Sequence, residues 1–200
     1  MFKKIVVVAG IIFSSSAFAQ AEKFAGASVG INGGFDSQIL DFNGAKLGND
    51  TYSYNVNGSY TFALSNQYTF GIGLTYDMGD AEAASATTML NVTGASNSYK
   101  LKSHYSLNFE PGYAINEQYL AYLKLAYHGA KANQSDLSLD KNITGTGYGF
   151  GTKYFISKDT FFSFEVQNIK YNSYSVTPSS TTYTVTHKNT LSTIGIGYKF

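Results

Sequence analysis

Residues 52–64 read Tyr52-Ser-Tyr-Asn-Val-Asn-Gly-Ser-Tyr-Thr-Phe-Ala-Leu64, and residues 68–78 read Tyr68-Thr-Phe-Gly-Ile-Gly-Leu-Thr-Tyr-Asp-Met78. In both segments large apolar side chains alternate with small or polar ones, which is the period of a β-strand with one apolar and one polar face. Only Ser65-Asn66-Gln67 separates the two segments. Together they predict a β-hairpin with a tight turn.

Six further segments alternate less evenly and bring the predicted strand count to eight: 24–35, 101–115, 119–131, 144–156, 161–171 and 189–200. Short connections (65–67, 116–118, about 157–160) alternate with long ones (36–51, 79–99, 132–143, 172–188). That arrangement is typical of transmembrane barrels, and an even strand number closes the sheet without an exposed edge. The pattern predicts an all-β fold, an eight-stranded antiparallel transmembrane β-barrel with short periplasmic turns and longer extracellular loops.

Aromatic spacing separates this fold from a soluble β-sandwich or lipocalin-like barrel, which would turn its apolar face inward. Three strands carry two tyrosines eight residues apart on the apolar face: Tyr68 and Tyr76, Tyr105 and Tyr113, Tyr119 and Tyr127. At about 3.4 Å per residue and a tilt near 40°, eight residues rise roughly 20 Å. Two aromatic girdles around an apolar band about 25 Å tall have a similar separation. We expect these six tyrosines to face lipid.

The first nineteen residues have the features of a secretory signal. Lys3 and Lys4 precede the apolar stretch 5–13, and Ala17-Phe-Ala19 provides a small-residue cleavage site. The apolar stretch is too short to cross a bilayer as a helix, which needs roughly 20 residues. We expect residues 1–19 to be cleaved and residues 20–200 to form the outer-membrane β-barrel domain.

Charge and composition exclude several classes of function. Without Lys3 and Lys4 the mature chain carries 12 basic residues against 13 acidic ones, so nucleic acid is not an expected partner. Every basic residue is lysine, which rules out an arginine-built phosphate site. Cysteine is absent, so neither disulfides nor thiolate metal sites are available.

The last strand resembles the C-terminal assembly signal of bacterial outer-membrane barrels. Ile194, Ile196, Tyr198 and Phe200 share one face, and an aromatic residue ends the chain. The resemblance implies recognition by the barrel-assembly machinery.

Other stretches resemble the small outer-membrane β-barrel superfamily that contains outer-membrane proteins A and X and the opacity proteins. They are Phe24-Ala-Gly-Ala-Ser-Val-Gly30, Glu110-Pro-Gly-Tyr-Ala-Ile115, Tyr122-Leu-Lys-Leu-Ala-Tyr127 and Gly147-Tyr-Gly-Phe-Gly151. The resemblance implies a monomer in the outer membrane of a Gram-negative cell, in contact with outer-membrane lipid and lipopolysaccharide.

Turn positions predict two ion pairs in the periplasmic half of the lumen. A turn centred on Glu117 places Glu110 opposite Lys124 on inward-facing positions. A turn centred on Asp159 places Lys153 opposite Glu165 in the same way. Lone charges there would cost several kcal/mol, which favours pairing. The arrangement resembles the charged plug of the outer-membrane protein A barrel and implies a lumen closed to sugars.

His104 and Ser106 share a strand face with Glu110, which is similar in residue type to the lipid A deacylases, themselves eight-stranded barrels. The catalytic groups of that family face lipid, whereas alternation here turns His104 and Ser106 inward. His128 and His187 are isolated in sequence and do not have the spacing of a metal site. We therefore expect no catalytic residue, metal or cofactor.

The glycines of the seventh strand have a structural explanation. Gly145, Gly147, Gly149 and Gly151 are spaced by two, unlike a phosphate-binding loop. We expect them to point inward and leave space for long side chains from facing strands.

The function favoured by the sequence is a non-enzymatic outer-membrane protein with a structural or surface-interaction role, exercised through its extracellular loops. In the last loop Tyr174 and Val176, and Tyr183 and Val185, could extend the strands into a protruding hairpin that offers an edge to a partner; a mobile Ser/Thr-rich loop is the alternative. A small low-conductance pore is the second functional candidate, and a lipid-modifying enzyme the third.

Overall fold

Ten strands make up most of the part of the chain that the structure describes. The computed structural model describes residues 20–94, 96–177 and 182–200, without the side chains of Val92 and Thr93. The predicted signal, 1–19, lies outside the described residues. The strands are β1 Gly26–Phe42, β2 Ala45–Ala63, β3 Tyr68–Asp77, β4 Ala81–Ala84, β5 Tyr99–Ala114, β6 Tyr119–Gln134, β7 Leu139–Phe155, β8 Thr160–Tyr171, β9 Tyr174–Val176 and β10 Tyr183–Lys199; a 3₁₀ turn spans Ala21–Lys23 and helix α1 spans Ala86–Thr93.

Eight of these strands form a closed antiparallel barrel. They pair in the order β1, β2, β3, β5, β6, β7, β8, β10, and β10 pairs back onto β1 from Ser28↔Lys199 to Phe42↔Val185. The short strands β4 and β9 lie outside this ring, beside β5 and β10. The predicted eight-stranded barrel is therefore confirmed. None of the helices among the described residues is long and apolar enough to span a membrane.

Three-residue turns join the strands at one end, here called the short-turn end. Each turn begins with a Ser or Asn whose side chain accepts a hydrogen bond from the backbone N–H three residues later, which replaces a missing backbone contact. Ser65 accepts from Tyr68 at 3.3 Å, Asn116 from Tyr119 at 2.9 Å and Ser157 from Thr160 at 3.1 Å.

The turn between β7 and β8 corrects one predicted register. Because Ile156 donates its backbone N–H to the Thr160 carbonyl at 3.0 Å, the turn is centred on Lys158 and not on Asp159. Gly151 therefore lies opposite Glu165, and Lys153 lies opposite Ser163. The prediction that Lys153 faces Glu165 on neighbouring strands is wrong by two residues.

The connections at the other end, the long-loop end, contain more strand than the sequence predicted. Residues 36–51 were expected to form a loop, but β1 and β2 stay paired as far as Phe42 and Ala45. Asn43 and Gly44 have φ of 49° and 96° and close the hairpin, as Asn-Gly turns do. The predicted extension of the last loop is confirmed, since β9 pairs with β10 through Tyr183↔Val176 and Val185↔Tyr174.

The lower tier is the part of the barrel between the short-turn end and the outer tyrosines, and its polarity is inverted relative to a soluble protein. Leu74 and Ile194 point outward and are 62% and 66% exposed. Asn55 and Asn108 point into the lumen and are buried. Apolar side chains outside and amides inside suit a wall that faces hydrocarbon, and not a soluble barrel.

The upper tier is the rest of the barrel at the long-loop end, which we define as the described parts of residues 36–51, 79–102, 128–147 and 167–193. Polar side chains still line the lumen at its base, but above them the polarity is that of a soluble protein. Leu40, Tyr99 and Val185 are fully buried inside, whereas the outside is polar and exposed, at Lys46, Thr184 and Lys188. The same strands thus exchange their polar and apolar faces as they leave the band.

Helix α1 and β4 close the upper tier from above. Ser85 caps the helix by accepting a hydrogen bond from the Thr88 N–H at 3.3 Å, and Gly94 ends it in the left-handed conformation at φ 74°. Met89 of the helix and Ala83 and Ala84 of β4 are fully buried in the apolar cluster of the tier. The lumen therefore has an apolar lid at this end.

The two tiers predict different losses of stability for the same leucine-to-alanine substitution. We expect Leu40→Ala, inside the upper tier, to lower the free energy of unfolding by about 2–5 kcal/mol, as buried leucines do. Leu74→Ala, on the outer wall of the lower tier, is the control and should cost less, because no packed cavity forms. Guanidinium titration in detergent micelles measures both. Equal losses would contradict a packed core in the upper tier.

Candidate functional site: the barrel lumen

A layer of four charged side chains crosses the lumen near the short-turn end. Lys124 Nζ lies 2.7 Å from Glu165 Oε2 and 4.0 Å from Glu110 Oε1. Lys153 Nζ lies 3.2 Å from Glu110 Oε2. The shorter contacts each skip one strand, joining β6 to β8 and β7 to β5, and the four charges balance.

The four charged residues lie in the lumen as predicted, but not all of them contact the predicted partner. Phe109 pairs with Leu125 and Gly112 with Tyr122, so Glu110 and Lys124 face each other as predicted, although their contact is the long one. Lys153 instead reaches Glu110 across the lumen, because the β7–β8 turn shifts its register. Cross-barrel contacts depend on shear and tilt, which pairwise turn arithmetic does not contain.

Aromatic side chains seal the lumen below this charged layer. The Tyr122 hydroxyl donates to Glu165 Oε1 at 2.6 Å, and the Lys153 ammonium lies 5.1 Å from the centre of the Tyr122 ring. The apolar cluster at the short-turn end consists of Phe24, Ala114, Leu120, Tyr122, Phe155 and Phe161. The cavity beside the charged layer has a volume of only about 10 Å³, close to one water molecule.

A second polar layer, higher in the lumen, links four strands through two histidines. Gln167 Nε2 lies 3.1 Å from His128 Nε2, His128 Nδ1 lies 2.9 Å from His104 Nε2, and His104 Nδ1 lies 2.8 Å from Asp77 Oδ2. An amide nitrogen can only donate, so each histidine must accept at Nε2 and donate at Nδ1. One set of neutral tautomers therefore satisfies every hydrogen bond of this series, which ends on the Asp77 carboxylate.

The third histidine belongs to the same region, on the other side of the Tyr171 ring. His187 stacks on Tyr171 at 5.2 Å between ring centres and contacts Gln38 Oε1 through Nε2 at 2.5 Å. Gln38 and Asn189 each donate to Asp36, both at 2.7 Å. Four buried atoms here have no partner among the described residues: Asp77 Oδ1, Tyr171 OH, His187 Nδ1 and Asn189 Oδ1.

His128 and His187 are isolated in sequence but not in the structure. They lie on β6 and β10, far from His104 in sequence, yet strand parity turns all three into the lumen. Each histidine occupies an inward position of its strand, and alternation in the sequence predicts that much. That the three lie at the same height in the lumen depends on the stagger of the strands, which the sequence does not show. Within the described ranges no group of three His, Cys, Asp or Glu side chains is arranged to hold a metal ion.

A β-bulge positions His104. Ser103 has φ of 49°, and the β5–β6 register shifts between Lys102 and Tyr105. Such a bulge re-aims the side chains that follow it. Here it lets odd-numbered Leu101 and even-numbered His104 both point inward, with Tyr105 outward.

Glycines on β7 make room for this interior, as the sequence predicted. A Cβ atom on Gly147 would lie 2.5 Å from His128 Nε2, and one on Gly151 would lie 2.4 Å from the Tyr122 hydroxyl. Both distances are far below van der Waals contact, so larger residues would displace a side chain of each lumen layer.

The predicted girdle tyrosines lie on the outer wall at two levels. Tyr68 is paired with Tyr113, and Tyr76 with Tyr105, on neighbouring strands. All six are at least 40% exposed: Tyr68, Tyr76, Tyr105, Tyr113, Tyr119 and Tyr127. The residues of the assembly signal, Ile194, Ile196, Tyr198 and Phe200, also lie exposed on this wall. Interfacial anchoring and recognition by the assembly machinery stay predictions.

In the upper tier a carboxylate fastens one loop to the next. Asp136, in the β6–β7 turn, accepts from the backbone N–H groups of Ser96 and Asn97 at 2.5 and 3.0 Å and from both side chains. These hydrogen bonds, first those from the Ser96 and Asn97 side chains, hold the pKa of Asp136 below its usual value of 3.8.

Comparison with known proteins identifies the family. The model of the family described as "Outer membrane protein beta-barrel domain" matches residues 5–200. The chain belongs to this family. The protein is therefore an outer-membrane barrel, and the periplasmic position of the short turns and extracellular position of the upper tier stay predictions. No curated protein matches the chain.

Three solved structures that resemble the chain are distant from it in sequence. Ail, the attachment invasion locus protein of Yersinia pestis, solved with the heparin analogue sucrose octasulfate, is 17% identical at a TM-score of 0.50, with 88% of this chain and 99% of Ail covered. OprG of Pseudomonas aeruginosa is 14% identical at a TM-score of 0.51, with coverages of 88% and 96%. Neisserial surface protein A is 16% identical at 0.48, with coverages of 88% and 99%. At these identities the likeness concerns the fold.

Removing the central lysine tests the charged layer. We expect Lys124→Met to lower the free energy of unfolding by about 3–5 kcal/mol, because it leaves Glu165 buried without a cation. The double variant Lys124→Met, Glu165→Gln should recover at least half of the loss, since Lys153 still pairs with Glu110. Urea titration in lipid vesicles measures both. A double variant as unstable as the single one would contradict the pairing.

The Asp136 contacts predict a transition in acid. Because the folded pKa lies below the unfolded one, the stabilisation is complete above about pH 4 and is lost as the pH falls through the lowered value. In ¹⁵N NMR spectra of the protein in micelles, the amide signals of Ser96 and Asn97 should shift together below pH 3.8. Asp136→Asn should abolish the transition. A midpoint at or above 3.8 would contradict these contacts.

Proposed function

We propose that the protein is a non-enzymatic, non-conducting outer-membrane anchor that presents its upper tier for contact with a partner at the cell surface. One observation carries the proposal: the upper tier has a continuous apolar core of its own. That core includes Leu40, Tyr99, Leu139, Tyr171 and Val185. An anchor alone does not require such a core above the band.

An ordered tier favours binding. A surface held by paired strands loses less conformational entropy on association than a mobile loop does. The β1–β2 hairpin, the β6–β7 hairpin and the β9–β10 hairpin all extend this tier by backbone pairing. At about 2.6 Å of rise per residue, the seven residues from Asp36 to Phe42 reach roughly 18 Å beyond the band. The partner would therefore meet a shaped surface.

The packing of the lumen weighs against the pore. Eight strands leave space mainly for side chains, and here an aromatic plug, a charged layer, a histidine layer and an apolar lid follow one another. The volume of about 10 Å³ beside the charged layer is too small for a sugar.

The position of the histidines weighs against a lipid-modifying enzyme. All three are at most 7% exposed and point into the lumen. Ser106 is buried with them. A substrate in the lipid or in the medium would reach none of these groups without opening the barrel wall or the lid.

Closure of the lumen predicts the absence of sugar uptake. Vesicles loaded with the protein should swell in an isotonic sucrose solution no faster than empty vesicles, because the plug and the charged layer block the axis. A porin of known size is the positive control. Swelling above the empty-vesicle rate would favour the pore instead.

Bulky labels at the two ends of the barrel test surface contact. The chain has no cysteine, so a single cysteine at Asn43 or at Asn66 can be labelled selectively. Asn43 lies at the tip of the β1–β2 hairpin and Asn66 in a short turn. In intact cells a polyethylene glycol maleimide should react at Asn43→Cys and not at Asn66→Cys.

The same cells measure binding. Expressing cells should adhere to immobilised host extracellular matrix more than non-expressing cells, and the label at Asn43→Cys should reduce this adhesion at least twofold. Heparin is a suitable first soluble competitor, since Ail was solved with a heparin analogue. Adhesion unaffected by expression, or by the label at Asn43→Cys, would overturn the proposal; Asn66→Cys cells treated with the reagent are the matched control.

A further inference from the structure

Two lysines on the outer wall of the upper tier face each other across neighbouring strands. Lys170 of β8 and Lys188 of β10 are directly paired, and both side chains are exposed. Like charges in this arrangement destabilise a sheet. Among the described residues neither lysine forms an ion pair with a carboxylate. No described carboxylate thus lies within ion-pair distance of either lysine to offset their repulsion.

A groove runs along the wall at these lysines. Its upper part, about 340 Å³, is lined by Lys170 and Lys188 together with Lys46 and the hydroxyl residues Ser173 and Thr186. Asp41 also lines it, opposite Lys46 on the neighbouring strand, so the groove carries three ammonium groups against one carboxylate, whose Oδ1 accepts from the Gly44 N–H at 2.7 Å. The three ammonium groups can donate hydrogen bonds to an anion, and so can one of the two hydroxyls, since Ser173 and Thr186 are hydrogen-bonded to each other at 2.7 Å.

The lower part of the groove connects this cationic region to the apolar band. It has a volume of about 330 Å³ and is again lined by Lys170 and Lys188, with Ser37, Thr190 and Tyr148. Tyr148 is the outermost aromatic residue on the outer face of β7, and Phe150 follows it into the band. The groove thus changes from aromatic to hydroxyl to cationic in the direction away from the membrane.

The height of the lysines corresponds to the headgroups of the outer leaflet. Lys188 lies four residues beyond Ser192, the partner of Phe35, which is the last aromatic residue of β1 on this wall. Four residues rise roughly 10 Å along a tilted strand. Headgroups occupy the region just outside the hydrocarbon core.

We propose that this groove binds the phosphate groups of a phosphorylated saccharolipid of the outer leaflet, the lipid A class. Lys170 and Lys188 hold one phosphate between them, Lys46 adds a third cation, and the acyl chains continue along the band below Tyr148. The bound phosphate neutralises the repulsion between the two lysines. A soluble polyanion would use the charges but not the aromatic lower end of the groove. The inference is independent of the surface contact proposed above.

The chain supplies a matched control on the opposite wall. Lys102 of β5 and Lys131 of β6 are likewise directly paired. There, however, Lys131 Nζ lies 2.9 Å from Asp140 Oδ2, so the protein provides its own counter-charge. This pair has the same charges and strand geometry without the uncompensated repulsion.

Lipid retention tests the site. Purified protein in nanodiscs of phosphatidylcholine with a few per cent of lipid A is examined by native mass spectrometry, with lipid A that carries two, one or no phosphates. We expect wild-type protein to retain the bisphosphorylated form, and Lys170→Gln, Lys188→Gln to weaken retention roughly tenfold. The control Lys102→Gln, Lys131→Gln should change it less than twofold.

A charge reversal adds a readout of opposite sign. Lys170→Glu creates an attractive cross-strand contact with Lys188, so it should raise the unfolding temperature in detergent that is free of lipid A. Adding bisphosphorylated lipid A should raise the unfolding temperature of the wild type but not that of Lys170→Glu.

Three results would overturn the proposal. They are equal losses of retention in the two glutamine variants, retention that does not depend on the number of phosphates, and heparin binding that depends on Lys170 and Lys188 while lipid A retention does not. The last result would assign the groove to a soluble polyanion.

Discussion

Every backbone N–H and C=O group within the apolar band must find its partner in the sheet, because hydrocarbon offers none. The pairing of β1 with β10 meets this requirement, since it removes the only two edges that the long strands would otherwise expose. Closure with eight strands fixes a narrow interior. The lumen must therefore be filled by side chains that satisfy one another, and the charged layer around Lys124 and the tautomer chain through His104 and His128 are two solutions to that one constraint.

The membrane also explains why one sequence pattern produces two kinds of structure. Alternation continues along β1 and β10 without interruption, but the medium on the outside changes from lipid to water. Above the band the inward positions become apolar, as at Leu40 and Val185, and the outward ones become polar, as at Lys188. The level at which the two faces exchange polarity marks the membrane boundary on each strand. Lys170 and Lys188 lie just beyond that level, at the height that we assign to the lipid headgroups.

Strand existence and order in the lower tier could be predicted from the sequence because apolar alternation and short turns are local signals. The pairing of Glu110 with Lys124 was predictable for the same reason. The predicted partner of Lys153 was wrong because the turn begins at Ser157 and is centred one residue earlier than predicted. Much of the upper tier has the composition of loops, because its outward-facing residues are polar. Its strands therefore could not be predicted from apolar alternation. The histidine layer could not be predicted, since it depends on the stagger between β5, β6 and β10.

The distribution of charge within the barrel indicates how the two ends of the molecule differ in task. In the lower tier the lysines of the lumen are matched by glutamates at 2.7 and 3.2 Å, so that part of the protein is electrostatically complete. On the outer wall of the upper tier Lys131 is matched by Asp140, but Lys170 and Lys188 are not matched. A like-charge pair on neighbouring strands destabilises the isolated protein, and a bound anion would offset that cost. The charges of the lower tier thus stabilise the barrel from within, whereas those of this wall suit the binding of an anion from outside.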